Sequence, residues 1–219
     1  MVHRPPALPT VLLTGFDAFG GESINPSWLA VKALHGRQIA GHRVVAAQLP
    51  TVFDESLLAL RKLLLQRKPA LTICVGQAGG RNAISLERIA INVNDARIAD
   101  NAGAKPVDTP VAANAPTAYF TRLPIKAMLI ALQQDGVAAE VSQTAGTFVC
   151  NHVFYGLMHF LATQRGFKAK RGGFIHVPFL PEQGVPSMPL EDISRGLQIA
   201  VRCALNTAQD IQVGAGAVQ

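Results

Sequence analysis

Cysteine is scarce in this chain, with three among 219 residues, and so are aromatic side chains, at 6%, and charged ones, at 16%. Each shortage excludes something. Cys74, Cys150 and Cys203 are an odd, sparse set, so they do not make a disulfide framework, and no pair has metal-ligand spacing. No apolar run is long enough to cross a bilayer. The opening MVHRPPALP has early prolines and no apolar stretch, so it does not read as a secretory signal. A cytoplasmic protein is therefore expected. Low charge beside 49% hydrophobic residues excludes a disordered or coiled-coil chain. The formal net charge is +6, but the basic residues are scattered. Their densest group, Arg165, Lys168, Lys170 and Arg171, has one aromatic neighbour, Phe167, and reads as a solvated loop rather than a nucleic-acid surface.

What is present is an alternation of strand-sized and helix-sized segments. Strands are expected at Thr10–Thr14, His42–Gln48, Ala70–Val75, Ala138–Ser142 and Gly173–Val177. A strand or hairpin arm is expected over Ala83–Val93. Helices are expected from Pro26 to His35, with Asn25 as N-cap, and from Asp54 to Gln66, where Leu57, Leu58, Leu60, Leu64 and Leu65 make a wide apolar face. Further helices follow from Pro124 to Gly136, Phe148 to Thr163 and Leu190 to Ala208. The stretch Asn94–Thr117 is a long polar loop, a length that is uncommon without a function. This order predicts an α/β fold: a mostly parallel twisted sheet with helices on both faces. The length suits a single catalytic domain over 1–219, with 1–9 as an N-terminal extension and 209–219 as a disordered tail.

In such a sheet ligands bind beyond the carboxyl ends of the strands. The segments that follow the strands are GFDAFGG from Gly15, GQAGGR from Gly76 and AGTFVCN from Ala145, and one strand ends in His176. Cys150 stands at the start of a helix, where exposed amides and the positive dipole end favour a thiolate. The alternative is a small buried hydrophobe, and that is the expectation for Cys74 and Cys203. His176 is either a satisfied core histidine or the base that a thiol needs within reach. His152 and His159 share the helix of Cys150 and are expected to cap it or face solvent. Glu87 falls on an apolar strand face with Ile89, Ile91 and Val93, so it needs a partner. That partner is an imidazolium, or an arginine such as Arg81 or Arg97. GQAGGR is not a dinucleotide fingerprint, and GFDAFGG lacks the lysine of a P-loop. A redox-sensing protein and a nucleoside phosphorylase are the rival classes. A phosphorylase would need an anion site and no Cys-His-Glu set.

Four segments together make a more specific signal: LLTGFDAFGGESINPSW, VGQAGGRNAISLERIAINVNDARIADN, SQTAGTFVCNHVFYGL and FIHVPFLPEQ. In this order they resemble pyroglutamyl peptidase type I, a family of cysteine peptidases, over roughly Thr10 to Ala208. The resemblance implies a three-layer α/β/α sandwich, no metal or organic cofactor, and peptides with an N-terminal pyroglutamate as partners. It also implies a homotetramer, with no nucleic-acid or membrane partner. It makes Cys150 the nucleophile, His176 the base, Glu87 the orienting acid and Arg97 the arginine on the oxyanion side. Phe16, Phe19, Gln77, Ile98, Phe148 and Val149 fall where the family builds its ring pocket. Ala18 and Ala99 stand where the family's motifs usually carry proline. Both changes remove a rigid ring but no functional group.

Overall fold

The computed structural model describes residues 8–216. Seven strands form one sheet in the order β2-β3-β1-β4-β9-β5-β8. These are β1 (Thr10–Phe16), β2 (Gln38–Ile39), β3 (His42–Leu49), β4 (Leu71–Gln77), β5 (Ile84–Glu87), β8 (Ala139–Ser142) and β9 (Arg171–Val177). A separate two-stranded ribbon pairs β6 (Ile89–Ile91) with β7 (Ala118–Phe120). The helices are α1 (Pro26–Ala33), α2 (Glu55–Arg67), α3 (Ile125–Gln134), α4 (Val149–Thr163) and α5 (Leu190–Asn206). No helix among the described residues is long and apolar enough to cross a membrane.

Strand alternation builds two cores, one on each face of the sheet. Val11 and Leu13 of β1, Leu71, Ile73 and Val75 of β4, and Ile175 and Val177 of β9 pack against α1, α3 and α5. The intervening Leu12, Phe16, Cys74 and Phe174 face α2 and α4. The result is the expected three-layer α/β/α architecture. The helix signals act as their chemistry requires: Asn25 Oδ1 accepts from Ser27 N at 3.1 Å, with Pro26 opening α1. The apolar face of α2 is narrower than expected. Leu57, Leu60 and Leu64 are buried, whereas Leu58 and Leu65 face solvent.

Three expectations are corrected. The strand expected through Val93 breaks after Glu87, because Arg88 N bonds back to Ser142 O on β8 while Ile89 starts the ribbon. β5 runs antiparallel to β9, and β8 is parallel to β5, so the carboxyl end of β8 does not point to the edge where β1, β4 and β9 end. Segment 143–148 must turn back before α4 begins. The tail expected to be disordered is held as far as residue 215. Asp210 accepts from the amides of Lys126 and Ala127 at the start of α3, Lys126 Nζ donates to Val213 O, and Arg88 Nη2 donates to Ala215 O at 3.3 Å. Residues 1–7 and 217–219 lie outside the described residues.

Candidate active site

At the carboxyl edge of β4 and β9, Gly76 is the register partner of His176. Gly76 and His176 share the face of Cys74 and Phe174, the face covered by α4. Cys150, the second residue of α4, lays its sulfur on the bare Cα of Gly76. A Cβ there would stand 2.7 Å from Cys150 Sγ and 2.9 Å from the Phe174 ring. Only glycine leaves room for the sulfur to rest on the strand beside the one that carries the imidazole.

The imidazole is fixed from below. His176 Nδ1 lies 2.7 Å from Glu87 Oε1, and Glu87 is fully buried on the antiparallel β5. The same Oε1 accepts from Arg81 Nη1 at 2.7 Å, and Arg81 Nη2 donates to Thr144 O at 3.2 Å. Of the partners considered for Glu87, an imidazole and Arg81 are therefore present at once, and Arg97 is not among them. Burial works to raise the Glu87 pKa, but His176, with Ser142 and Arg81 adding, outweighs it and holds the carboxyl below its ordinary value. An ionised carboxylate only accepts, so Nδ1 carries the proton and Nε2 of the neutral ring keeps a free lone pair. The Phe174 ring, 4.9 Å from the imidazole, packs beside it.

Cys150 departs from the helix-start expectation. Burial pushes its thiol up to about 12, with the Glu87 charge adding and Arg81 opposing. The residue is partly open to solvent and starts a helix, and both features work against that rise. Cys74, wholly buried beneath, is also pushed up to about 12 by burial, and Cys203 lies half-buried on α5.

The ring-pocket residues divide into groups. Phe19 and Phe148 have ring centroids 6.0 Å apart, and Phe53 meets Phe148 edge-on at 5.4 Å. Phe53 was not anticipated, although it follows β3 at the same sheet edge as the other loops. Phe16 and Val149 are buried in the core on the same face, and Ile98 is 48% exposed on the loop between β6 and β7. Gln77 turns its side chain to the opposite face, with Val75, where Oε1 accepts from Gln183 Nε2 at 3.2 Å. Only its backbone faces the Cys150 side. Arg97 is exposed on the loop between β6 and β7 and has no hydrogen bond or ion pair to another described residue. Asn101 ties this loop to the loop after β1: Asn101 Nδ2 donates to Ala18 O at 2.8 Å, and its N–H donates to Thr51 O at 3.0 Å. The backbones around Ala18 and Ala99 are thus held by amide bonds.

The two histidines on α4 are neither caps nor surface groups. His152 is 1% exposed, with Nδ1 2.9 Å from Asn94 Oδ1 and its ring edge-on to Phe53. His159 stacks on Tyr155, and its Nδ1 is 3.0 Å from the Tyr119 hydroxyl. Parity along the helix correctly turned His152 away from Cys150, but away from Cys150 meant into the packed loop, not toward water.

A thiol, an imidazole and a carboxylate thus stand together at one edge of the mixed α/β sheet. The family model described as pyroglutamyl peptidase matches residues 9–207. The chain is 56% identical to the pyrrolidone-carboxylate peptidase of Cupriavidus taiwanensis over 95% of this chain and 99% of that one. It is 51% identical to the Bacillus mycoides enzyme of the same name over 96% and 99%. Among solved structures, pyroglutamyl peptidase I from Bacillus amyloliquefaciens superposes with a TM-score of 0.91 at 48% identity, covering 95% of this chain and all of that one. The pyrrolidone carboxyl peptidase of Thermococcus litoralis does so with a TM-score of 0.91 at 35% identity, over 94% and 100%. The chain belongs to the pyroglutamyl peptidase family, and it is a hydrolase of the cysteine-peptidase kind.

Proposed function

We propose that this chain hydrolyses the peptide bond after an N-terminal pyroglutamyl residue, through Cys150, His176 and Glu87 and an acyl-enzyme. The observation that carries the reading is the Glu87–His176 bond of 2.7 Å beside the glycine that seats Cys150 Sγ. The Cys150 thiol gives its proton to His176 Nε2, and the sulfur attacks the carbonyl carbon of the pyroglutamyl residue. The carbonyl carbon gains a bond to sulfur, and its oxygen becomes the oxyanion. The unpaired N–H of Cys150 in the first turn of α4 and the Arg97 guanidinium stabilise it, each donor by roughly 3 kcal/mol. The imidazolium, paired with Glu87, then protonates the leaving amine as the C–N bond breaks. Water, deprotonated by the same ring, releases pyroglutamate and restores the thiol. Glu87 holds the tautomer and steadies the imidazolium.

Pyroglutamate is an uncharged lactam without a free α-amine. Rings such as Phe19 and Phe148, with Ile98 at the rim, suit its flat faces, and the backbone at Gln77 suits its amide. A free N-terminal ammonium would be buried there without a carboxylate, at a cost of several kcal/mol, or roughly a thousandfold in kcat/KM. The test is hydrolysis of pyroglutamyl-alanine, glutaminyl-alanine and prolyl-alanine, with and without prior alkylation by iodoacetamide. Cleavage of the first alone, lost on alkylation, is expected. Comparable kcat/KM for the three would sink the lactam pocket, and turnover that survives labelling of Cys150 would sink the thiol mechanism. A cytoplasmic homotetramer of single-domain subunits completes the reading, and sedimentation of the purified enzyme tests the assembly.

A further inference from the structure

The arginine assigned to the oxyanion lies on an exposed loop, yet the loop is bound at both ends. Beyond residue 99, Asp100 Oδ2 accepts from Phe53 N at 3.0 Å and Asn101 N–H reaches Thr51 O. Before residue 97, the holdfast is the helix of the nucleophile itself. Asn151, next to Cys150 and fully buried, uses its side chain as a peptide group would. Its Oδ1 accepts from Ile91 N at 3.0 Å, and its Nδ2 donates to Ile91 O and Val93 O, both at 2.9 Å. His152 adds the bond to Asn94 Oδ1, and Thr147 Oγ1 donates to Asp95 O at 2.7 Å. An amide that binds three backbone groups from one fully buried side chain fixes their distance from the helix, and without it these part-buried groups lose that partner.

We propose that Asn151 is a positioning residue that sets the distance between Cys150 and Arg97. This rests on the reading that Arg97 meets the oxyanion. The two groups would have to agree within a fraction of an ångström in the transition state, and one buried side chain links the helix of the first to the loop of the second. Asn151 is fully buried, so on this proposal its effect on kcat passes through Arg97 and not through a contact of its own.

That dependence gives the test, a double-mutant cycle on kcat with a pyroglutamyl-arylamide. Asn151→Asp keeps the acceptor for Ile91 N and loses both donations. Asn94→Ala changes no residue of α4 but breaks the parallel tether from His152 to the same loop, and it serves if Asn151→Asp does not fold. Arg97→Ala should lower kcat by roughly 10²–10³-fold. Asn151→Asp, or Asn94→Ala, should lower kcat by about tenfold or more when Arg97 is present and by less than about threefold in the Arg97→Ala background. Equal losses in both backgrounds, or no loss in the first, would overturn the positioning role. Wild-type kcat in Arg97→Ala alone would overturn the assignment of Arg97 and with it this role.

Discussion

Two parts of the candidate site are built in opposite ways. The buried part, Glu87, His176 and the seat of Cys150, lies on strands, and Glu87 is held by charge-assisted bonds of 2.7 Å to His176 and to the half-buried Arg81 of the loop after β4. The rim, Phe19, Arg97 and Ile98, lies on loops and is held through backbone groups, by the neutral amides of Asn101 and Asn151 and by the Asp100 carboxylate. Hydrogen bonds to charged groups are stronger than neutral ones, and strands are stiffer than loops. Proton transfer tolerates little misplacement, whereas a pocket must admit and release a ring. Rigid charge serves the first need, and a pinned but exposed loop serves the second.

The largest effects should come from the buried part. Cys150→Ala should remove turnover by at least ~10⁴-fold, because the other thiol on that face, Cys74, is wholly buried. The fold should survive, since Cys150 loses little volume, and retained thermal unfolding checks that. A Cys150→Ala enzyme with wild-type turnover would end the mechanism. Next comes His176→Ala, with a loss of roughly 10²–10⁴-fold. Glu87→Gln should cost less, because the amide oxygen still accepts from Nδ1 and Arg81 but no longer favours the charged ring. Single-turnover rates compare the two, and an equal or reversed order would make Glu87 structural.

Gly76→Ala tests the seat alone, with every reacting group left in place. The backbone conformation at Gly76 suits any residue, so strain is not the issue. The new Cβ, at 2.7 Å from Sγ and close to the Phe174 ring, forces one of them to move. A displacement near 1 Å should lower kcat by about 10²-fold, and overpacking should cost about 1–3 kcal/mol of stability. A Gly76→Ala enzyme with normal kcat would show that the sulfur does not depend on the bare strand.

The same contrast explains what the sequence revealed. Cys150, His176 and Glu87 were legible as candidates because each is an isolated polar or reactive residue beside apolar runs; the period-two grouping of Glu87 with Ile89, Ile91 and Val93 did not hold, because the strand ends at Glu87. Arg81 was legible only as a competing partner, because one carboxylate oxygen serving two donors is a matter of geometry. The rim was less readable. Phe53 stands past a strand whose following loop carried no glycine signal. Asn151 reads as an ordinary polar helix residue until its backbone partners from β6 are known. Gln77 was assigned to the pocket by motif, but alternation from Val75 turns its side chain away. The antiparallel setting of β5 and β8 left no mark either, since four-residue strands carry no signal of direction.

The smallest expected effect belongs to the loop anchor and concerns stability with pH. His152 is buried between Phe53, Asn94 and the rest of α4. Burial depresses its pKa to about 4, with the Asp54 carboxylate 3.8 Å from Nε2 opposing and Arg61 reinforcing. In the unfolded chain the ring titrates near its ordinary value of about 6.5. As pH falls from there to about 4, the unfolded chain binds a proton that the folded one refuses. Stability is therefore complete above about 6.5 and declines through this window. Glu87, whose folded pKa is also depressed, works lower: its contribution is present above the ordinary carboxylate range and is lost as pH falls below it. The two groups separate on the pH axis. His152→Gln, which retains a donor for Asn94 but cannot titrate, should flatten the change in stability between pH 6.5 and 4.5 and leave the steeper loss below it. Urea unfolding at half-unit pH steps measures both slopes. If His152→Gln and the native protein lose stability in parallel from pH 6.5 down, the loop anchor is not the acid-sensitive group, and the rim is no easier to open by acid than the buried cluster.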